Sequence, residues 1–254
     1  MAEPLLKATN LGIAFGGLKA VNHFNLEINE GELVGLIGPN GAGKTTVFNL
    51  LTGVYKPTEG SIYLGGRRMN GKKTYEMVNA GIARTFQNIR LFKKMTVLEN
   101  VLISYTGRLK YGLLGSLLRT ASFWKEEKQI RDSAMELLSV FNLQDKAGWN
   151  AENLPYGQQR KLEIARALAT NAKMLLLDEP AAGMNPTETA ELLSCINVIR
   201  KKFPISILLI EHDMSLVMNI CERIVVIDYG EIIAHGIPDE IAHNPKVIAA
   251  YLGE

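Results

Sequence analysis

The sequence predicts an α/β fold with a β-rich N-terminal layer and an inserted helical subdomain. Three observations favour it. Strand patterns dominate the N-terminal part, residues 95–141 contain long helical segments, and the rest of the chain alternates short apolar runs with amphipathic helices. This alternation is typical of a parallel sheet that carries its ligand at the carboxyl ends of its strands. The 254 residues are 47% hydrophobic and 21% charged, as in folded globular proteins.

The N-terminal part is predicted to consist mainly of strands. Residues 5–14 and 21–28 have strand patterns and are separated by Gly16-Gly17. A third strand at 32–37 leads into a glycine-rich loop and a helix. The remaining elements are that helix at 44–51, which stops at Gly53, a strand at 61–64, a short helix at 75–79 and a strand at 82–86.

The middle of the chain is predicted to be helical because an apolar face repeats at 3.6-residue spacing. We expect one domain over 1–254, with about 95–150 as the helical subdomain. About 1–94 and 150–254 would form the core and its β layer. The repeating apolar face consists of Ile130, Ala134, Leu137, Leu138 and Phe141.

The C-terminal part is predicted to alternate helices and strands. Residues 174–177 form a continuous apolar run, which is typical of a central parallel strand. Asn244 is expected to cap the second of two short helices in the tail, with Pro245 as its first residue. The other predicted elements are helices at 157–170 and 187–202 and strands at 205–210, 224–228 and 231–234, the last two joined at Tyr229-Gly230.

Charge and composition exclude several classes of function. Twenty-eight Lys and Arg against 26 Asp and Glu give a net charge of +2, so no nucleic-acid partner is expected. No apolar run approaches the roughly 18 residues that cross a bilayer, and the N-terminus lacks the pattern of a secretory signal, which predicts a cytoplasmic location. Cys195 and Cys221 have no metal-ligand spacing and are predicted to be buried thiols.

Residues 38–45 match the P-loop pattern G-x-x-x-x-G-K-[ST] between a predicted strand and a predicted helix. Its glycines let the backbone wrap phosphate oxygens, so that N–H groups and the positive end of the helix point at the anion. Lys44 would reach the β- and γ-phosphates, and Thr45 would coordinate Mg²⁺. The predicted nucleotide-binding residues here are Gly38, Pro39, Asn40, Gly41, Ala42, Gly43, Lys44, Thr45 and Thr46.

Two adjacent carboxylates, Asp178 and Glu179, follow the apolar strand at 174–177. In a P-loop site the first acid holds Mg²⁺, usually through water, and the second orients and polarises the attacking water. Asp178 is therefore predicted to bind the metal and Glu179 to be catalytic. The alternative interpretation is that these two carboxylates are a solvated pair at a strand end without a function. The presence of the P-loop makes this interpretation much weaker.

Four further segments resemble, in order and spacing, motifs of the ATP-binding-cassette (ABC) transporter ATPases. LPYGQQR at 154–160 resembles the signature motif, and TFQN at 85–88 resembles the Q-loop. IEHD at 210–213 resembles the switch-histidine segment, and Phe15 resembles the aromatic residue that stacks on adenine. The resemblance covers essentially the whole chain. It implies a P-loop NTPase core of the ABC ATPase type with an antiparallel β layer and an inserted α-helical subdomain.

The resemblance implies an ATPase that uses ATP and Mg²⁺ and works as a head-to-tail dimer. Each ATP would lie between the P-loop of one subunit and the signature motif of the other, where Tyr156, Gly157 and Gln158 would contact it. His212 would contact the γ-phosphate and help fix the attacking water. Gln87 would touch Mg²⁺ and that water.

Within the family, the chain resembles the LivG-type subunits of branched-chain amino-acid importers. The similarity rests on residues 11–21, 83–92 and 244–253, on the helical insert, and on Tyr156 in the signature. It implies an ATPase subunit that lies at the cytoplasmic face of the inner membrane and powers the import of leucine, isoleucine and valine. The implied partners are a second ATPase of the LivF type or a second copy, two transmembrane permease subunits and, indirectly, a periplasmic substrate-binding protein.

Other functions stay as alternatives. ATPases of importers for urea or short amides, and that of lipopolysaccharide export, share much of this pattern. Members that act in DNA repair or translation carry two cassettes or long coiled-coil insertions, which this sequence does not display. A metabolic P-loop kinase would not explain Tyr156-Gly157-Gln158 or His212. No residue of the chain is expected to contact the transported substrate.

Two positions depart from the family pattern. Pro155 stands at the signature serine and lacks both its hydroxyl and a backbone N–H. Asn185 stands where many relatives carry the D-loop aspartate. We hypothesise slower hydrolysis at the composite site that uses this signature motif, the alternative being that these positions vary without kinetic effect.

Four apolar residues near the Q-loop are predicted to contact the permease. A groove between the Q-loop and the helical insert would accept a short cytoplasmic helix of that partner. The alternative is that the same residues pack the core of the insert. They are Ile89, Leu91, Phe92 and Val97.

Overall fold

The computed structural model describes residues 3–108 and 118–252. Its strands are β1 (Leu6–Phe15), β2 (Leu18–Ile28), β3 (Leu33–Ile37), β4 (Glu59–Leu64), β5 (Arg67–Arg68), β6 (Ile82–Arg84), β7 (Met174–Asp178), β8 (Ser206–Ile210), β9 (Arg223–Asp228) and β10 (Glu231–Gly236). Its α-helices are α1 (Lys44–Leu51), α2 (Thr74–Ala80), α3 (Val97–Leu102), α4 (Ala121–Val140), α5 (Tyr156–Ala169), α6 (Pro186–Lys202), α7 (Met214–Ile220), α8 (Pro238–Ala242) and α9 (Pro245–Leu252).

The chain folds into two compact units. The first contains the chain up to Gln87, Lys173–Ala182 and the chain from Arg200 onward, and the second contains Asn88–Ala172 and Gly183–Ile199. The second unit therefore extends beyond the expected 95–150 subdomain. It takes in α5, which packs against α3 and α4. It also takes in α6 as far as Ile199, and Glu191 on α6 binds Lys161 on α5 at 2.6 Å.

A six-stranded sheet dominates the described part of the first unit. Its order is β10-β9-β3-β8-β7-β6, in which β9 through β6 are parallel and β10 is antiparallel to β9. Every residue of β3, β7 and β8 is buried, as the continuous apolar runs predict for strands covered on both faces. The register aligns the carboxyl ends of neighbouring strands, since Leu36 and Asp178 both pair with Ile210.

An antiparallel layer covers part of this unit, with strand order β2-β1-β4-β5 over the described residues. Helix α1 contributes Val47, Phe48, Leu50 and Leu51 to a core cluster that also contains residues of β1, β2 and β3. Burial of these side chains gives the loop that precedes α1 a fixed base. The predicted α/β class and the antiparallel β layer are confirmed.

The second unit is helical, as predicted for the insert. On α4 and just after it, four of the five residues of the predicted apolar face are buried, whereas Ile130 is only half-buried. They pack in a unit whose other buried apolar residues include residues of α3, α5 and α6. The four buried residues are Ala134, Leu137, Leu138 and Phe141.

Several short elements follow their predicted signals, whereas the two-residue strand β5 and helix α7 were missed. Helix α1 has the predicted bounds, and Gly53 just beyond it has φ 71°. Asn244 Oδ1 accepts the N–H of Lys246 at 2.9 Å, so it caps α9 as predicted. Helix α7 was not predicted because it has seven residues, too few for a clear periodicity. Its signal was Asp213, which accepts the N–H groups of Ser215 and Leu216.

Among the described residues, no helix has both the length and the apolar character needed to cross a bilayer.

Both cysteines are buried, which confirms that prediction. Cys195 and Cys221 each expose 6% of their surface. Burial raises the pKa of the Cys195 thiol and raises that of Cys221 to about 12. Because the thiolate is the reactive form, neither side chain is expected to react readily.

We therefore expect iodoacetamide at pH 8 to leave both thiols of the folded protein unmodified and to alkylate both in denaturant. Mass spectrometry of the intact chain would count the labels. Rapid labelling of either cysteine without denaturant would contradict its buried placement.

Candidate nucleotide-binding site

Four adjacent parallel strands deliver the predicted motifs to one edge of the sheet. The P-loop follows β3, the switch-histidine segment follows β8, the two carboxylates end β7, and the Q-loop follows β6. These strands are neighbours in the order β3-β8-β7-β6. Motifs far apart in sequence therefore meet at the carboxyl edge, as expected for an α/β sheet.

The P-loop backbone passes too close to its neighbours for side chains at two of its glycines. A Cβ on Gly38 would lie 2.0 Å from the carbonyl oxygen of Ile227. One on Gly43 would lie 2.7 Å from the oxygen of Ala20, and Gly43 has φ 104°. Gly43 is also the N-cap of α1. Glycine is therefore required where the loop turns into the helix whose N–H groups would face an anion.

The β9–β10 turn braces this loop through the backbone. Gly230 donates its N–H to the oxygen of Ala42 at 2.9 Å, and Asn22 on β2 donates its N–H to the oxygen of Gly230 at 2.9 Å. The antiparallel layer, the turn and the P-loop are thereby connected by main-chain hydrogen bonds. Such connections restrict the loop more firmly than side-chain contacts alone.

Lys44 is held at the P-loop by main-chain oxygens. Its Nζ donates to the oxygens of Gly38 at 2.7 Å and Pro39 at 2.9 Å, and the residue is 6% exposed. Burial lowers the pKa of Lys44, while the carboxylates of Glu179 and Asp178 oppose that shift. The ammonium is thus a positive charge with few water contacts, which strengthens its attraction for phosphate.

Asp178 forms a buried ion pair that the sequence did not predict. Arg84 Nη2 lies 2.6 Å from its Oδ2, and both side chains are less than a tenth exposed. Arg84 also donates to Asn49 on α1 at 2.6 Å and lies between the rings of Phe48 and Phe86. The only sequence signal was a basic residue at the end of a predicted strand. Arg84 therefore links the metal-binding candidate to α1.

Glu179, Gln87 and His212 form one cluster. Gln87 Nε2 donates to Glu179 Oε2 at 2.8 Å. His212 Nε2 lies 2.5 Å from Glu179 Oε1, a contact in which the ring N–H donates to the carboxylate. The structure thus brings together the three predicted catalytic residues. A carboxylate oriented by an amide and an imidazole is suited to accept a proton from water.

Two aromatic residues of the first unit, Phe15 and Tyr251, bear on the nucleotide site. Phe15 is 45% exposed and meets Tyr55 edge-on, with ring centroids 5.3 Å apart, so its ring is accessible for stacking. Tyr251 on α9 is a residue that the sequence did not indicate. Burial raises the pKa of its hydroxyl, and the Gly38 N–H, which donates to that oxygen, opposes the shift.

The signature segment lies at the start of α5 in the second unit. Pro155 is the N-cap and provides no side-chain hydrogen bond there. Gly157 is buried, and a Cβ on it would lie 2.7 Å from Glu188 Oε1. Gln158 Oε1 accepts from Lys146 at 2.7 Å, and Tyr156 is 44% exposed. The helix start therefore presents Tyr156 to solvent while Gly157 is packed within the unit.

Asn185 has a structural role that an aspartate would also fill. Its Oδ1 accepts the N–H of Glu188 at 3.0 Å, and its own N–H donates to the Glu188 carboxylate at 3.1 Å. This reciprocal pair is a capping box for α6. Capping alone thus accounts for a short polar side chain at this position.

The predicted docking residues fall into two groups. Val97 is completely buried and belongs to the core of the second unit, so its assignment to a partner groove was wrong. It opens α3, whose buried face needs an apolar residue there. Phe92 is 47% exposed and has the Arg166 guanidinium 5.5 Å from its ring centre. Ile89 and Leu91 are half-buried.

Across residues 3–108 and 118–252, no group of three or more His, Cys, Asp or Glu side chains could hold a metal ion. At a nucleotide site Mg²⁺ retains waters and takes ligands from phosphates with one or two protein oxygens. Thr45 is exposed at the first turn of α1 and supplies a hydroxyl. The Arg84 contact uses Oδ2 of Asp178, which leaves Oδ1 for an ion or its water.

Two family models match the sequence. The model described as ABC transporter matches residues 21–182, more than half of the chain. The model described as branched-chain amino acid ATP-binding cassette transporter matches residues 231–254.

Relatives match over the full length. The chain is 51% identical to the high-affinity branched-chain amino acid transport ATP-binding protein LivG of Salmonella typhimurium, covering 100% of both chains. It is 48% identical to BraF of Pseudomonas aeruginosa, a protein of the same description, with the same coverage. Among solved structures, it resembles the ADP conformation of MJ1267, an ATP-binding cassette of an ABC transporter, with 34% identity, TM-score 0.86 and 100% coverage of both chains.

The buried pair makes Arg84 important for stability. We expect Arg84→Met to lower the free energy of unfolding by about 3 kcal/mol, because it leaves the Asp178 charge buried without its partner. Urea unfolding followed by circular dichroism would measure this loss.

The double variant Arg84→Met, Asp178→Asn is the control, since it removes both charges and should recover part of the loss. Equal stability of wild type and Arg84→Met would show that the ion pair does not stabilise the fold.

Proposed function

The chain belongs to the ABC transporter family of ATP-binding cassettes, the ATPase subunits of transporters, and we propose that it powers an importer for branched-chain amino acids. The observation that carries the hydrolytic part is the Glu179 carboxylate between Gln87 and His212. Full-length identity of about half to the curated branched-chain relatives supports the substrate class.

ATP would bind at the P-loop. Main-chain N–H groups of residues 41–46 and the Lys44 ammonium would contact the β- and γ-phosphates, aided by the positive end of α1. The exposed ring of Phe15 would stack on the adenine. The fixed backbone of the loop means that few conformational changes are needed to form these contacts.

Mg²⁺ would be held by Thr45, Asp178 and Gln87. The hydroxyl, carboxylate and amide oxygens of these residues are the hard donors that this ion prefers. When bound, Mg²⁺ neutralises charge on the β- and γ-phosphates. Arg84 orients the Asp178 carboxylate for this role through the 2.6 Å contact.

Glu179 would act on the water that attacks the γ-phosphorus. It accepts the proton of that water as the new oxygen–phosphorus bond forms and the bond to the β–γ bridging oxygen breaks. His212 would hold the γ-phosphate and help place the water, and Gln87 would keep Glu179 oriented. Because both neighbours already contact the carboxylate, the cluster is arranged before the substrate arrives.

A second cassette would complete each site. Tyr156, Gly157 and Gln158 at the start of α5 would meet the γ-phosphate bound at the partner's P-loop, with the helix dipole adding attraction. Pro155 has no N–H to add there. Slower hydrolysis at the composite site that uses this signature stays a prediction.

The implied assembly is an importer at the cytoplasmic face of the inner membrane. It would contain a second ATPase of the LivF type, or a second copy of this chain, with two permease subunits and a periplasmic substrate-binding protein. The match of residues 231–254 to a branched-chain family model supports this assignment over import of urea or amides and over lipopolysaccharide export.

We expect Glu179→Gln to bind ATP with near-normal affinity and to lower its hydrolysis at least about 100-fold, since an amide cannot accept the proton. Phosphate release would give the rate, and a fluorescent ATP analogue the affinity. Size-exclusion chromatography with ATP should show a stabilised dimer. Full turnover by this variant would contradict the role of Glu179.

The assembly can be tested by purifying the native complex through a tag on this chain and measuring uptake of labelled leucine in cells that lack it. We expect a distinct second ATPase and two permeases to co-purify, and uptake to fall. Self-pairing with unchanged uptake would keep the ATPase assignment but would refute the substrate, so that urea, amide or lipopolysaccharide transport would be tested next.

A further inference from the structure

A buried carboxylate, Glu211, lies beside the catalytic cluster but has no role in the mechanism above. It follows β8 directly and is 4% exposed. An acidic side chain is seldom buried to this extent without a specific set of partners. Its hydrogen bonds therefore indicate what it does.

The two oxygens of Glu211 bind two different segments of the first unit. Oε1 accepts the N–H of Ala181 at 2.8 Å, two residues after Glu179. Oε2 accepts the N–H of His212 at 3.3 Å. One rigid carboxylate thus connects the main chain that follows Glu179 to the main chain of His212.

The backbone of Glu179 needs such support. Its φ is 46°, in the left-handed region that residues with a side chain seldom occupy. Its N–H donates to the oxygen of Ile210 at 2.9 Å, and its oxygen accepts from Ala182 at 3.1 Å. An unfavourable conformation persists where neighbouring contacts fix it. Glu211 supplies a further contact in this turn, at Ala181.

Both oxygens of Glu211 accept main-chain N–H groups, which indicates a role in the fold of the turn. Burial raises its pKa, the two donated N–H groups oppose this, and the negative charge of Glu179 raises it further. The side chain faces main-chain donors with both oxygens. The hydrolytic water is assigned to Glu179.

We propose that Glu211 is a positioning residue, which fixes the separation of the Glu179 and His212 side chains by binding the main chain of both segments. The inference rests on the proposed hydrolytic function. A small misplacement of reacting groups costs up to about 100-fold in rate. Loss of Glu211 should therefore slow turnover while leaving the P-loop, and with it ATP affinity, intact.

The test compares Glu211→Ala, Glu211→Gln and wild type in the complex purified through the tag. We expect the alanine variant to lower kcat at least about 10-fold, with the dissociation constant of a fluorescent ATP analogue within about twofold of wild type. Glutamine keeps one acceptor oxygen, so the kcat of Glu211→Gln should lie between those of Glu211→Ala and wild type. We expect it to be at least about threefold above that of Glu211→Ala and at most about half that of wild type.

Glu222→Ala is the matched control. Glu222 also accepts a main-chain N–H, that of Leu33 at 3.2 Å, but it precedes β9 and lies at the amino ends of the strands. We expect the kcat of Glu222→Ala to stay within about twofold of wild type, whatever effect the substitution has on the melting temperature.

The outcomes are distinct. If wild type hydrolyses ATP and Glu211→Ala has the same kcat, the inference is overturned. It is also overturned if Glu211→Ala loses ATP binding together with activity. If the alanine variant does not fold, Glu211→Gln decides: half the wild-type kcat or less at unchanged affinity supports it, and an equal kcat overturns it. Absence of hydrolysis by wild type would refute the proposed function itself.

Discussion

Parallel pairing of β3, β8, β7 and β6 is the constraint on which the site depends. Each strand ends in a motif that is chemically incomplete alone, and the aligned register places these ends side by side. The strands are buried and apolar, so a shift of register would expose apolar side chains or bury polar ones. Hydrophobic packing of the sheet therefore fixes the spacing of the catalytic groups.

This edge also carries features that oppose folding. Lys44 and Asp178 are charged and almost fully buried, and Glu179 has a left-handed backbone. Each is offset by a local contact: main-chain oxygens for Lys44, Arg84 for Asp178, and the closed turn for Glu179. Strain and buried charge at one edge are typical of a functional site, and the stable sheet beneath supports them.

Some sequence signals are specific because only one physical solution satisfies them. The glycines of the P-loop were predicted to let the backbone wrap a phosphate, and the structure gives a second reason for glycine at Gly38 and Gly43, where a Cβ would meet main-chain oxygens of neighbouring segments. The apolar face of α4 predicted burial, and most of it is buried. Val97 was misassigned because an apolar residue beside a candidate groove has the same sequence signature as a core residue.

The sequence by itself determined the alternation of strands and helices, the phosphate-binding loop, the acidic pair and the order of the family motifs, because these depend on local spacing. Only the tertiary structure decided that Arg84 pairs with Asp178, that Gln87 and His212 converge on Glu179, and that Glu211 binds the turn behind it. Those contacts join residues 30 to 94 positions apart, and their formation depends on strand order, which local patterns do not encode.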